Sequence, residues 1–203
     1  CLQETNKIHN LTAIKEEEDV IVKHFVDSLF LSGALPEGAR VIDVGCGPGF
    51  PSLPISIYRP DVTLLGVDST AKKINYVNET ARALGLDNIS AISARAEELG
   101  HDFAHRESFD IATARAVAAL PILSEYCLPF VKQGGCFVSM KSAESNEEME
   151  EAKKAIGILG GKIDEDIVFD LVEKMPRRII TIKKNSQTPT KYPRPSAQIF
   201  KKP

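Results

Sequence analysis

Two periods of apolar residues alternate along this chain, one of amphipathic helices and one of buried strands. Val20, Phe25 and Leu29, with Ile21, Val22 and Leu31, form an apolar stripe, so residues 16–34 are expected to be a helix that Gly33 ends. A strand over 40–44 follows. The next helix opens at Pro51, which suits a first turn, and is expected to fade before Pro60. Val62 to Val67 is an apolar run, interrupted by Thr63 and closed by Asp68, as expected of a strand buried on both faces. Ile74, Val77, Ala81 and Leu84 keep helical spacing as far as Gly85, a C-terminal cap. Ile89–Ser93 and Phe109–Thr113 predict two more strands, and a helix over 118–131 leads through Gly134-Gly135 to a strand over Cys136–Met140. An acidic helix over 144–159 and two strands, 163–170 and 178–183, complete the series.

Strands alternating with helices predict an α/β fold, doubly wound and Rossmann-like, with a mostly parallel sheet. Two strands so close together at the end predict an antiparallel C-terminal edge hairpin. A chain of 203 residues is one domain by size. Within it, 1–35 reads as an N-terminal helical segment, 36–185 as the α/β body and 186–203 as a basic tail.

The joint between the first strand and its helix narrows the ligand. Its glycines fall at Gly45, Gly47 and Gly49, whereas a dinucleotide fingerprint would place the third where this chain has Phe50. Pro48 and Pro51 have no N–H to donate. A pyrophosphate needs several such donors converging at a helix start. A ligand without phosphate fits this loop better, and S-adenosylmethionine (SAM) is the obvious one. Its adenosine and amino-acid ends need the close backbone approach that glycines permit.

Composition changes this picture only by exclusion. No apolar run approaches the roughly 20 residues of a membrane span, and no signal-peptide pattern opens the chain. Cys1, Cys46, Cys127 and Cys136 are scattered without a CxxC pair, so free thiols in a reducing cytoplasm and no metal site are expected. The chain opens in what reads as the end of a helix, so part of the N-terminus is expected to be missing. A monomer is expected.

Charge is uneven. From Lys174 onward there are nine basic residues and no acidic one, in a chain of net charge −3, so residues 1–173 carry −12. An acidic body with a basic end suits a polyanionic partner approached from one side; a solvated edge strand protected by lysines is the plainer account.

Ligands of such sheets bind beyond the carboxyl ends of the strands. Asp43, just before the glycines, is placed either to hold the loop or to reach the methionine end of SAM. Asp68 ends the second strand and can accept hydrogen bonds from both ribose hydroxyls; it could also cap the following helix, and ribose is favoured for its spacing from the glycines. Ala96-Glu97 can read the adenine edge, or Glu97 can serve a helix dipole. Arg115, isolated among alanines, needs partners for its donors: the SAM carboxylate, an RNA phosphate or a guanine edge. His24 and Asp27 read by spacing as a pair on a helix face. His9, His101 and His105 carry no signal.

What is lacking also counts. An Asp/Asn-Pro-Pro-aromatic clamp for amino-group methylation would follow the fourth strand, where this chain has Ala114-Arg115-Ala116-Val117. Cys127, on a helix, reads as a buried thiol and not a nucleophile. An acceptor that needs no activation therefore fits, and guanine N7 has a lone pair and no proton to remove.

Asn10-Leu11-Thr12-Ala13-Ile14, His24-x-x-Asp27-Ser28, Asp43-Val44-Gly45-x-Gly47-x-Gly49-Phe50-Pro51, Arg95-Ala96-Glu97, Arg115-Ala116 and Tyr192-Pro193-Arg194 form an ordered set spanning the chain. The set resembles the RsmG family, also called glucose-inhibited division protein B. These are bacterial methyltransferases that act on a guanine N7 in small-subunit ribosomal RNA. The resemblance implies a class I SAM-dependent methyltransferase domain over 36–185, with 16S rRNA or the small ribosomal subunit as partner. It implies SAM contacts at Gly45, Phe50, Ala96, Glu97 and Arg115, beside the Gly47, Gly49 and Asp68 read from the loop itself. Arg115 is then also the candidate for orienting substrate, and no other catalytic residue is singled out. Arg177, Arg178, Lys191, Arg194, Lys201 and Lys202 are the expected RNA contacts. The stretch Pro195-Ser196-Ala197-Gln198 departs from the glycine and basic residues usual there.

Overall fold

The computed structural model describes residues 2–9, 11–14, 16–115, 118–143, 146–172 and 175–201. Seven strands form one sheet: β1 (Arg40–Val44), β2 (Thr63–Asp68), β3 (Ile89–Ser93), β4 (Phe109–Arg115), β5 (Val131–Ser142), β6 (Gly161–Asp170) and β7 (Pro176–Lys184). Their spatial order is β3, β2, β1, β4, β5, β7, β6. The first five pair in parallel, and β7 runs antiparallel to both β5 and β6. The predicted edge hairpin is therefore present, with its later strand on the inside. Burial explains that order: β7 carries buried Ile179, Ile180 and Ile182, whereas most of β6 is exposed and it bears Asp164, Glu165, Asp166 and Asp170, charges that suit an edge.

Alternation along the strands separates two apolar layers. Ile42, Val44, Ala112, Ala114, Phe137 and Ile180 face one, which is closed by α7 (Leu120–Cys127) and α8 (Asn146–Ile158). Val41, Ile111, Val138, Met140 and Ile179 face the other, closed by α4 (Ser52–Tyr58) and α5 (Ala71–Leu84). Phe109, Phe130 and Phe137 are fully buried, each contributing about 1.5–3 kcal/mol. As expected, Gly85 ends α5 in the left-handed conformation, at φ 66°.

Beyond shifts of a few residues at strand and helix ends, two elements differ from the sequence reading. The helix expected over 118–131 is α7 followed by a tight turn, Leu128–Phe130, and β5 already starts at Val131. Pro129 has no N–H to continue the helix. The register between β4 and β5 then jumps from the Phe109–Val131 pair to the Ile111–Cys136 pair, which carries Lys132–Gly135 out as a bulge.

The single helix expected over 16–34 is also broken. It comprises α2 (Glu17–Val20), a wider π-helical stretch (Ile21–Val26), α3 (Asp27–Leu29) and a tight turn (Phe30–Ala34). The predicted stripe splits there: Val20 and Leu31 are buried, but Ile21 is 49% and Phe25 38% exposed. What turns inward is polar, with Asp27 5% and Ser28 0% exposed. Before it lies α1 (Leu2–His9). The C-terminal residues lie along the body and end in α9 (Ser196–Lys201), whose Ile199 is buried in the α7 layer. Among the described residues, no helix is long and apolar enough to cross a membrane.

Candidate active site

The glycine loop follows β1 and is joined by the carboxyl ends of β2, through Val67 and Asp68, and of β4, through Arg115 over Phe50. Gly45, Gly47 and Gly49 all have positive φ, at 76°, 55° and 91°. Two of them serve different ends. A Cβ on Gly49 would lie 2.5 Å from Leu53 Cδ1, so this glycine lets α4 pack on the loop. A Cβ on Gly47 would meet nothing within 4 Å, so its bare backbone borders open space that a ligand can enter.

The loop has no amide left for a phosphate. Gly45 N and Cys46 N both donate to Val67 O, at 2.7 and 3.1 Å, and Gly49 N and Phe50 N both donate to Cys46 O, at 2.9 and 3.1 Å. Gly47 N donates to Asp68 Oδ2 at 3.1 Å, and Pro48 has no N–H. The backbone donors that would cradle a pyrophosphate are all satisfied within the chain.

Asp43 lies fully buried beneath this loop and accepts a hydrogen bond from Ser52 Oγ through Oδ2. Its other oxygen, Oδ1, is buried without a partner among the described residues. Burial pushes its pKa up to about 6, against the lowering effects of the Ser52 hydroxyl and of Arg115. A buried carboxylate oxygen that lacks a donor fits a ligand bearing one, such as an α-ammonium group. Both roles considered for Asp43 stay open: Oδ2 holds the start of α4 beneath the loop, and Oδ1 would be satisfied by a donor brought to it.

Asp68 is 11% exposed at its side chain. It accepts from Gly47 N through Oδ2 and from Thr70 N, at 2.8 Å, through Oδ1. It therefore steadies both the glycine loop and the start of α5, and an ionised carboxylate keeps further lone pairs for a ribose. Glu97 stands in α6 (Ala96–Leu99), just past the end of β3. Its Oε1 accepts from Ser196 Oγ of α9 and lies 3.6 Å from Arg95 NH1, while Oε2 has no hydrogen-bond partner among the described residues. Ala96 packs against the α7 layer.

On the other side of the loop the structure gathers residues that the sequence holds far apart. Arg115 NH1 donates to Asp27 Oδ2 at 3.0 Å and, more weakly, to the carbonyls of Lys23 and His24 and to Ser28 Oγ. Arg115 NH2 donates to His24 Nδ1 at 3.2 Å. His24 Nε2 then carries the ring proton and donates to Thr12 Oγ1 at 2.8 Å. The imidazole stacks on Phe50, with centroids 4.5 Å apart and planes 12° apart, and Arg115 lies over the same ring. Burial and Arg115 lower the His24 pKa to about 4, so the ring is neutral at physiological pH. The sequence reading of His24 and Asp27 as a pair on a helix face is thereby corrected: both face Arg115. The π-helical stretch between Val20 and Asp27 re-aims these side chains inward.

These groups line a cavity of about 510 Å³, joined by Lys141, Phe169, Arg177 and Arg178. Its size and mixed lining suit a flat heteroaromatic ring and its substituents. Among its described lining residues, no side chain is placed to take a proton. His24 has both nitrogens occupied, Asp27 is held by Arg115 and Arg177, and Cys46 is pushed well above the usual thiol range by burial. Lys141 donates to Ala118 O and Glu148.

The expected RNA-binding cations do not form one exposed tail. Arg178 is 4% exposed and makes a double hydrogen bond to Asp166, both contacts at 2.6 Å. Arg194 grips buried Glu125. Each guanidinium is thus paired within the chain, Arg178 with Asp166 on the exposed edge strand and Arg194 with buried Glu125, so its charge is already answered there. Arg177 donates to Asp27 Oδ1 at 3.0 Å, at the cavity wall. Lys191 and Lys201 are exposed, and Lys202 lies outside the described residues. Lys184 is fully buried, donating to Leu128 O and Thr188 Oγ1, and burial lowers its pKa to about 8.

Asp27, Thr12, Lys141 and Phe169 were not read as site residues from spacing. The only signal for the first two was the ordered Asn-Leu-Thr-Ala-Ile and His-x-x-Asp-Ser segments.

The comparisons with known proteins agree with this geometry. A family model described as "GidB: rRNA small subunit methyltransferase G" matches residues 1–184. The ribosomal RNA small subunit methyltransferase G of Acetivibrio thermocellus is 48% identical over 204 residues, covering 100% of this chain and 84% of that one. The protein of the same name from Staphylococcus saprophyticus is 48% identical over 196 residues, covering 95% and 82%. A solved SAM-dependent methyltransferase from Methanosarcina mazei superposes with a TM-score of 0.59 at 16% identity, over 78% of this chain and 94% of that one, which supports the fold.

Proposed function

This chain belongs to the rRNA small subunit methyltransferase G family, and from that premise we propose how its own residues carry methyl transfer from SAM to N7 of one guanine in 16S ribosomal RNA. The chain is a SAM-dependent methyltransferase of small-subunit rRNA. The nitrogen, the base and the residues that hold them are the proposal.

Asp43 and the glycine loop hold the methionine end of SAM, Asp68 its ribose, and Ala96-Glu97 its adenine. Bound SAM supplies an electrophilic methyl sulfonium. The target base enters the cavity walled by His24, Phe50, Arg115 and Phe169, which requires it to leave its stack. Phe50 is shared by both sides of the site, and Arg115 fixes the His24 ring against it. Catalysis by this chain is alignment and exclusion of water, with no proton to accept. The lack of an available base among the cavity's described residues is the observation that carries the N7 reading, since that nitrogen attacks through a free lone pair. Arg177, at the cavity wall, with Lys191 and Lys201 at the surface, supplies the phosphate contacts. An rRNA substrate places the reaction in the bacterial cytoplasm.

The test is methyl transfer to small ribosomal subunits purified from cells lacking the gene, followed by mapping of the modified base. One new 7-methylguanosine in 16S rRNA is expected. Methylation at a carbon, an exocyclic amine or a ribose would overturn the proposed acceptor.

A further inference from the structure

The residues beyond Lys184 lie outside the match to the family model, yet they reach the cofactor side of the site. They start at the far end of the sheet, where Lys183 pairs with Cys136 early in β5 and Asn185 N donates to Gly160 O at 2.8 Å. They then cross the α7 layer under a series of polar contacts. Thr188 N donates to Glu107 at 2.7 Å, and Arg106 donates to the carbonyls of Thr188 and Tyr192, each at 2.8 Å. His101 donates to Pro193 O at 2.8 Å, and Arg194 is held by Glu125 through backbone and side chain. The path ends at the carboxyl edge of the sheet, where Ser196 Oγ donates to Glu97 Oε1 and Tyr126 OH stands 2.9 Å from the same hydroxyl.

The Ser196 proton goes to the carboxylate, so the Tyr126 hydroxyl donates to Ser196. The two hydroxyls form a short relay that ends on Oε1 and leaves Oε2 without a hydrogen-bond partner among the described residues. A glutamate side chain has three rotatable bonds, and fixing one oxygen removes most of that freedom before a ligand arrives.

From this geometry we propose that Ser196 is a positioning residue, which orients Glu97 for the adenine end of SAM and makes cofactor affinity depend on the C-terminal segment. This rests on the reading of Glu97 as the adenine contact. The segment therefore acts on the cofactor side, in addition to any contact its exposed lysines make with RNA.

The test is SAM affinity by calorimetry together with steady-state kinetics on small ribosomal subunits. Ser196→Ala is expected to raise both the Kd and the KM for SAM by about fivefold, the loss of one such hydrogen bond, with kcat at saturating SAM unchanged. Ser196→Thr, which keeps the hydroxyl, is expected to restore both. Tyr126→Phe is expected to give a smaller rise in the same direction while leaving Ser196 in place. In a Glu97→Ala background, Ser196→Ala should add no further loss. If Glu97→Ala weakens SAM binding but Ser196→Ala does not, the proposal fails and the adenine reading stands. An equal loss from Ser196→Ala with and without Glu97 overturns the proposal too. If Glu97→Ala leaves SAM affinity untouched, the adenine reading itself falls.

Discussion

Asp27 Oδ2 accepts NH1 of Arg115 at 3.0 Å across 88 residues of chain, joining the N-terminal helical segment to the end of β4. Their side chains are only 8% and 12% exposed, and the second Asp27 oxygen is taken by Arg177. The segment is therefore held on the sheet by a partly buried charge cluster, while several of its apolar side chains remain in solvent.

Breaking that cluster should loosen the segment. Asp27→Ala leaves two guanidiniums unanswered near the protein interior and is expected to destabilise by about 3 kcal/mol, a fall in Tm of roughly 10 °C. Limited proteolysis should then cut within residues 11–34 ahead of the body. A Tm within a degree of the parent would contradict the role given to this carboxylate.

SAM binding should depend on pH through Asp43. Its pKa is raised to about 6, so it is an anion above that pH and a neutral acid below it. Affinity for a ligand bearing an ammonium group is expected to be level above about pH 7 and to fall by up to about tenfold per unit below about pH 6. Asp43→Asn should bind weakly at every pH, without that slope. Calorimetric titration from pH 5 to 8 checks both.

Stability should rise with pH through His24, where an exposed histidine with an unshifted pKa would give no slope. The folded pKa of His24 is about 4 against an ordinary 6.5, so between these values the unfolded chain binds more protons. The contribution of the neutral ring is complete above pH 6.5 and is lost as the pH falls toward 4. Asp43, with its raised pKa, opposes this trend, because its contribution is lost as the pH rises through about 6. Comparison with His24→Gln isolates the histidine: the variant's loss of Tm between pH 7 and 5 should be smaller than the parent's.

Two glycines of one loop should fail differently. Gly49→Ala puts a Cβ 2.5 Å from Leu53 Cδ1 at φ 91°, so Leu53 must shift within the core, and the substitution is expected to lower Tm more than Gly47→Ala does. Gly47→Ala meets no atom within 4 Å; it carries only the left-handed strain of about 1–2 kcal/mol. A folded Gly47→Ala protein that has lost SAM affinity is the expected result, read by circular dichroism and calorimetry. Retained affinity would remove the loop from the cofactor site.

Salt dependence should sort the cations. Lys191→Ala and Lys201→Ala are each expected to lower the slope of log affinity against log salt for rRNA binding by about one. Arg178→Ala, whose partner is Asp166, should lower Tm and leave that slope alone.

The succession of elements could be read from the sequence because it rests on local rules. The largely apolar run Val62–Val67 fits a strand within a sheet, and Gly85 fits the stop of α5. The glycine spacing with Pro48 and Phe50 already argued against a phosphate, and the loop's satisfied amides gave the physical reason. Local spacing could not say what His24, Asp27 and Arg115 do, because their meaning lies in a contact spanning 88 residues. Nor could composition tell which basic residues face solvent. Arg178, Arg194 and Lys184 read as members of a cationic end, and folding set each beside an acceptor elsewhere in the chain. Backbone period and turn chemistry are fixed by neighbours in sequence, whereas the partner of a charge is fixed by which strand ends the sheet brings together.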